Sequence, residues 1–141
     1  MELKQPVKYE LEIPSDLDRI QEVENFTDKV AIEMNFSEDE RDSLAIAVTE
    51  TVNNAILHGN KNDQTKVVKI VYILNPANLT IQVKDQGKGF DPNSVDNPCD
   101  PKNLLKECGR GVFIIRALMD QVRFEQDGTG MVITLVKNKQ T

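Results

Sequence analysis

Tryptophan is absent, histidine occurs once (His58) and cysteine twice (Cys99 and Cys108). That is too few ligands for a Cys/His zinc site, and the cysteine spacing is wrong for a redox pair. Both thiols are expected to be free and reduced. No apolar run approaches the roughly 20 residues that a membrane-spanning helix needs. Met1 to Tyr9 is polar and lacks the apolar core of a signal peptide, so a cytosolic protein is expected. Cations are in deficit: 17 Lys and Arg stand against 23 Asp and Glu, a net charge of −6. Such a surface repels phosphodiester backbones, which disfavours direct DNA or RNA binding. The chain also has no G-x-x-x-x-G-K-[ST] phosphate loop and no dinucleotide fingerprint.

What is present reads as one domain over residues 1–141, with no internal repeat and no low-complexity tract. Val7 to Ile13 alternates apolar and polar, the mark of a strand with one buried face, and Pro14 is expected to end it. Ser15 or Asp16 can cap a helix with the stripe Leu17, Ile20, Val23, Phe26, Val30 and Met34. Ser37 and Glu40 form a capping box that opens a second helix to about Leu57, with Leu44, Val48, Thr51, Val52, Ala55 and Ile56 facing inward and Gly59-Asn60 closing it. Val67–Leu74 and Leu79–Lys84, joined by Asn75-Pro-Ala-Asn78, read as a hairpin. Asn93 to Pro101 reads as a mobile loop, Gly111 to Met119 as a helix, and Gln121–Glu125 with Met131–Val136 as a last hairpin. The order β-α-α-β-β-α-β-β predicts an α+β fold: a two-layer sandwich with a mixed, mostly antiparallel sheet and the helices on one face.

Four short constellations carry chemistry. On the second helix, Glu50, Asn54 and His58 recur at intervals of four and fall in one row beside the apolar stripe. Such a row is either a solvated flank or the wall of a cavity. In the second case Glu50 can accept a hydroxyl proton and Asn54 can offer Mg²⁺ a neutral oxygen; His58 fits a capping or supporting position. Asp85-x-Gly87-x-Gly89-Phe-Asp91 is either a tight turn or a carboxylate presented to a donor such as an adenine amine, with glycines allowing close backbone approach. Gly109-Arg110-Gly111 runs into the apolar segment and is either a helix-entry loop or a phosphate cradle of backbone amides with a cation added. Thr129 sits between Gly128 and Gly130 in what alone reads as a hairpin turn.

Taken in order, these segments resemble the nucleotide-binding boxes of the GHKL ATPase superfamily, the Bergerat fold. The match is closest to its small bacterial branch, the serine-protein kinases that act as anti-sigma factors, and spans about residues 7 to 137. Glu50-Thr-Val-Asn-Asn54 with His58-Gly59 is similar to the family's E-x-x-x-N box, Asp85 to Asp91 to its D-x-G-x-G-F-D, and Gly109-Arg-Gly111 to its G-x-G. The resemblance implies ATP and Mg²⁺ as cofactors, Glu50 as general base and Asn54 as the Mg²⁺ ligand. It implies that Asp85 bonds the adenine amino group, with Gly87 and Gly89 beside it, and that Gly109, Arg110, Gly111 and Val112 close over the phosphates. Thr129 resembles the threonine that completes the adenine pocket.

It further implies phosphorylation of a serine on a STAS-type anti-anti-sigma partner, sequestration of a sigma factor, and a homodimer built through the sheet face or first strand. A non-catalytic ATP-binding switch in a STAS-linked module is the alternative. The detached catalytic domain of a histidine kinase is less favoured, because no dimerisation helix carries a phospho-acceptor histidine. A structural adaptor would make the order of the boxes a coincidence.

Overall fold

The computed structural model describes residues 5–87, 107–128 and 130–139, with only the backbone course given for 107–110 and 127. Strand β1 (Val7–Pro14) leads into one 3-10 turn (Leu17–Arg19) and helix α1 (Ile20–Glu33). Helix α2 (Glu38–Asn54) ends in a π-type turn (Ala55–Gly59). Strands β2 (Val67–Leu74) and β3 (Asn78–Lys84) follow, then helix α3 (Glu107–Leu118) and strands β4 (Gln121–Asp127) and β5 (Gly130–Asn138). The expected element order is therefore observed. The loop expected over Asn93 to Pro101 lies outside the described residues.

The five strands lie in the order β1-β2-β3-β5-β4. The mostly antiparallel sheet expected from the sequence is observed, and every pairing among the described strands is antiparallel. The cause is in the connections. Hairpins join β2 to β3 and β4 to β5, and after α3 the chain enters at the edge as β4 before folding back inside as β5. Gly128, with φ of 60°, starts the two-residue turn between the paired Asp127 and Gly130, where primed hairpin turns require a positive φ.

One face of the sheet carries the core. Ile13, Ile70, Tyr72, Ile81, Val83, Ile133 and Leu135 pack against Val23, Val30, Leu44, Val48, Val52 and Ile56 of the helices and against Ile115 and Met119 at the end of the chain's apolar segment. Lys8, Glu10 and Glu12 alternate with the core positions of β1 and remain exposed or nearly so, as period-two patterning requires. The capping box forms as expected: Ser37 Oγ accepts from Glu40 N–H at 3.2 Å, and Glu40 Oε1 accepts from Ser37 N–H at 2.9 Å. The stripe of α2 is buried throughout. Ahead of α1 one expected stripe position departs: Leu17 is 44% exposed, because Asp16 caps the 3-10 turn and the tighter winding shifts Leu17 out of phase with the α-helical stripe.

Candidate active site

Glu50 and Asn54 lie one turn apart near the end of α2, both half-buried beside Thr51, Val52 and Ala55 of the core stripe. Helix α3 crosses them, and its point of approach is Gly111. A methyl group placed on Gly111 would lie 3.2 Å from Glu50 Oε2, 3.2 Å from Asn54 Nδ2 and 3.5 Å from Asn54 Oδ1. The carboxylate and the amide therefore converge on one bare stretch of backbone. Among the described residues neither has a hydrogen-bond partner. Two half-buried side chains with no partner among the described residues, a carboxylate and an amide, offer acceptor and donor atoms to a ligand.

Asp85 begins the loop after β3. Its N–H donates to the Met131 carbonyl at 3.0 Å, and its Oδ1 accepts from Gly87 N–H at 3.0 Å and from Met131 N–H at 3.2 Å. Oδ2 points toward Gly59, at the end of the turn that continues α2, where a side chain on Gly59 would collide with the carboxylate. Gly87 packs in turn on the Gly59 carbonyl, leaving no room for a Cβ. Burial pushes the Asp85 carboxyl above the usual aspartate value, against the lowering effect of the Gly87 and Met131 amides and the Lys66 charge. The carboxylate is thus oriented by backbone and brought to the same end of α2 that carries Glu50 and Asn54.

The other expected positions divide. Gly111 and Val112 are both buried, and they lie inside α3 rather than ahead of it. The helix starts at Glu107, four residues before the expected start at Gly111. Nothing at Glu107 or Cys108 breaks a helix, and burial of Val112, Ile115 and Met119 outweighs the low propensity of two glycines. The N–H groups without intrahelical partners then lie at the start of the helix and include that of Gly109, while Arg110 is the first residue whose N–H can bond back along the helix. Gly89 and Thr129 lie outside the described residues. His58 leaves the row of Glu50 and Asn54: the π-type turn winds less per residue, and His58 is exposed.

From the sequence alone Asn60 reads only as a helix stop. It is 1% exposed and is bonded through its side chain to Ser15, Val67 and Gln86. Its N–H closes the π-type turn on the Ala55 carbonyl at 2.7 Å. Lys61 and Asn62, with φ of 53° and 60°, then reverse the chain through the left-handed region, uncommon for lysine. The available signal was an asparagine directly after the glycine that ends a site-bearing helix.

The family model described as a histidine kinase-like ATPase domain matches residues 13–137. A serine-protein kinase RsbW of Bacillus licheniformis is 33% identical over 114 residues, 77% of this chain and 71% of the relative. The protein of the same name from Bacillus thuringiensis is 29% identical over 136 residues, 92% of this chain and 84% of the relative. Among solved structures, the RsbU and RsbW domains of a Mycobacterium tuberculosis protein share the fold at a TM-score of 0.69 and 16% identity, covering 96% of this chain and 33% of that one. The chain belongs to the histidine kinase-like ATPase family. Within it, the chain falls among the serine-protein kinases, the group of its Bacillus relatives.

Proposed function

We propose that this kinase binds Mg-ATP between the end of α2, the Asp85 loop and the start of α3, and transfers the γ-phosphoryl group to a serine of a STAS-type anti-anti-sigma protein. In this reading the kinase holds a sigma factor until the unphosphorylated STAS partner displaces it, and phosphorylation releases the partner. The kinase works as a single cytoplasmic domain over residues 1–141 and as a homodimer, without nucleic acid or membrane. No described helix is long and apolar enough to cross a membrane. The observation that carries the reading is the Glu50–Asn54 pair, without a partner among the described residues and facing the bare backbone of Gly111.

Among the described residues no three His, Cys, Asp or Glu side chains cluster as a metal cage. This fits Mg²⁺, which takes one or two protein oxygens and completes its shell with water and phosphate oxygens. Asn54 Oδ1 is the oxygen this chain offers. Bound Mg²⁺ would supply neutralisation of charge on the phosphate oxygens. In the transfer, the serine Oγ–P bond forms as the bond from Pγ to the β,γ-bridging oxygen breaks, and ADP leaves with that electron pair. Glu50 takes the serine proton. Asp85 Oδ2 accepts from the adenine amino group, Gly87 gives that loop its close approach, and Gly89 and Thr129 complete the pocket. Gly109 meets the phosphates with an unshared amide and Arg110 with a cation, and Gly111 and Val112 complete the cover over them.

The test is single-turnover transfer from labelled ATP to a candidate STAS protein. Wild type is expected to yield phosphoserine, while Glu50→Ala binds ATP and transfers about a hundredfold or more slowly. Undiminished transfer by Glu50→Ala would remove the base assignment. ATP-dependent partner binding without any phosphoserine would replace the kinase with the switch.

A further inference from the structure

Asn60, Val67 and Gln86 close a ring of hydrogen bonds. Asn60 Nδ2 donates to the Val67 carbonyl at 3.0 Å, Val67 N–H donates to Gln86 Oε1 at 2.7 Å, and Gln86 N–H donates to Asn60 Oδ1 at 2.8 Å. The second Nδ2 proton goes to Ser15 Oγ at 2.7 Å; that oxygen donates its own proton to the Lys66 carbonyl at 2.8 Å and so must accept from Asn60. Both amide protons and the amide oxygen are engaged, and the side chain is held in one orientation. Aspartate is nearly the same shape but has no donor for Ser15 or Val67.

The ring joins two parts of the site. Asn60 closes the turn that ends the Glu50–Asn54 helix. Gln86 follows Asp85, whose other side is fixed to β5 through Met131. Asp85 is held between β5 and a side chain from the end of α2, so the spacing between its carboxylate and the Glu50–Asn54 pair is set through Asn60.

We propose that Asn60 is a positioning residue for purine selection: it holds the Asp85 loop at a fixed distance from the Glu50–Asn54 helix, so that base and phosphates are gripped in register. The inference rests on the reading of Asp85 as the group that accepts from the adenine amine.

The measurement is the ratio of dissociation constants for ATP and for purine riboside triphosphate, which lacks that amine, with thermal midpoints taken in parallel. Wild type is expected to favour ATP, and Asp85→Asn to erase the preference. Asn60→Ala is expected to cut it by about tenfold, the effect of one well-placed hydrogen bond. Ser15→Ala removes one bond to Asn60 without touching the link to Gln86; it is expected to lower the thermal midpoint and keep the preference. Asn60→Ser keeps a buried hydroxyl but is too short to span from Ser15 and Val67 to Gln86; it is expected to reduce the preference in part, and it serves if Asn60→Ala does not fold. An unchanged preference in Asn60→Ala, or in Asn60→Ser when that variant stands in, would overturn the proposal and leave Asn60 a purely structural anchor. An unchanged preference in Asp85→Asn would instead remove the reading of Asp85 beneath it.

Discussion

Gly111 of α3 and Asn54 of α2 meet so closely that a methyl group on the glycine would stand 3.2 Å from the amide nitrogen. Glu50 Oε2 lies at the same distance from that point. The contact is tight, yet its far side is the end of two flexible side chains, which can yield by a few tenths of an ångström.

Gly111→Ala should therefore separate stability from activity. Alanine in place of glycine favours a helix interior by about 1 kcal/mol, which offsets the crowding. The thermal midpoint is expected to hold or rise. Displacement of Glu50 and Asn54 is expected to slow phosphotransfer by about tenfold or more, since small misplacements of reacting groups are costly. Thermal melts beside single-turnover assays check this. Full activity in the variant would mean that the pair is not organised against α3.

Asn54→Ala tests the metal half of the pair. ATP affinity in the presence of Mg²⁺ is expected to fall by about tenfold, while affinity measured with the metal chelated stays near the wild-type value. The ratio of the two dissociation constants, by titration calorimetry, is the readout. An Asn54→Ala variant with the full Mg²⁺ dependence would transfer the ligand role to another residue.

Much of this fold could be read from local pattern. The Ser37–Glu40 capping box and both limits of β2, Val67 and Leu74, stand where the sequence puts them, because caps and strand patterning are short-range physics. The strand order could not be read this way. The run Met131–Val136 is buried on both faces, and β5 lies inside the sheet, between β3 and β4. A hairpin pattern alone does not say which of its strands lies inside. The site was legible as four motifs. Their geometry was not, because Gly111 is explained by Glu50 and Asn54 across a helix contact and Gly59 by the Asp85 carboxylate. The π-type turn and Asn60 escaped for the same reason: partners at Ser15 and Gln86 are far away in sequence.

Asp85 gives a prediction with a definite sign. Its folded-state proton affinity is raised, chiefly by burial. The folded state therefore binds the proton more tightly than the unfolded chain, and ionisation works against folding as pH rises through and above the carboxylate range. Asp85→Asn keeps an oxygen for the Gly87 and Met131 amides and cannot ionise. Its thermal midpoint is expected to equal or exceed that of wild type at neutral pH, with the difference shrinking as pH falls into the aspartate range. Nucleotide affinity should fall at the same time. Melting curves across pH read this directly; a variant that is less stable at neutral pH, with a deficit that narrows on acidification, would mean that the carboxylate is favoured by its surroundings.

The packing of α1 on the sheet has its own test. Thr27 Oγ1 and the Tyr72 hydroxyl lie 2.7 Å apart in the core, and burial pushes the Tyr72 phenol up to about 12. Phe26 packs on the same ring, with centroids 5.2 Å apart. Tyr72→Phe keeps the ring contacts and removes the hydroxyl, leaving Thr27 buried and short of a partner. A loss of about 1–2 kcal/mol is expected, the cost of one unsatisfied buried polar group. Adding Thr27→Val should recover part of it, because the pair is then replaced by apolar groups of similar shape. Denaturant unfolding of the two single variants and the double one gives the coupling. Additive losses would mean that the two hydroxyls stabilise the fold independently, and that their contact adds nothing to the apolar packing of α1 on β2.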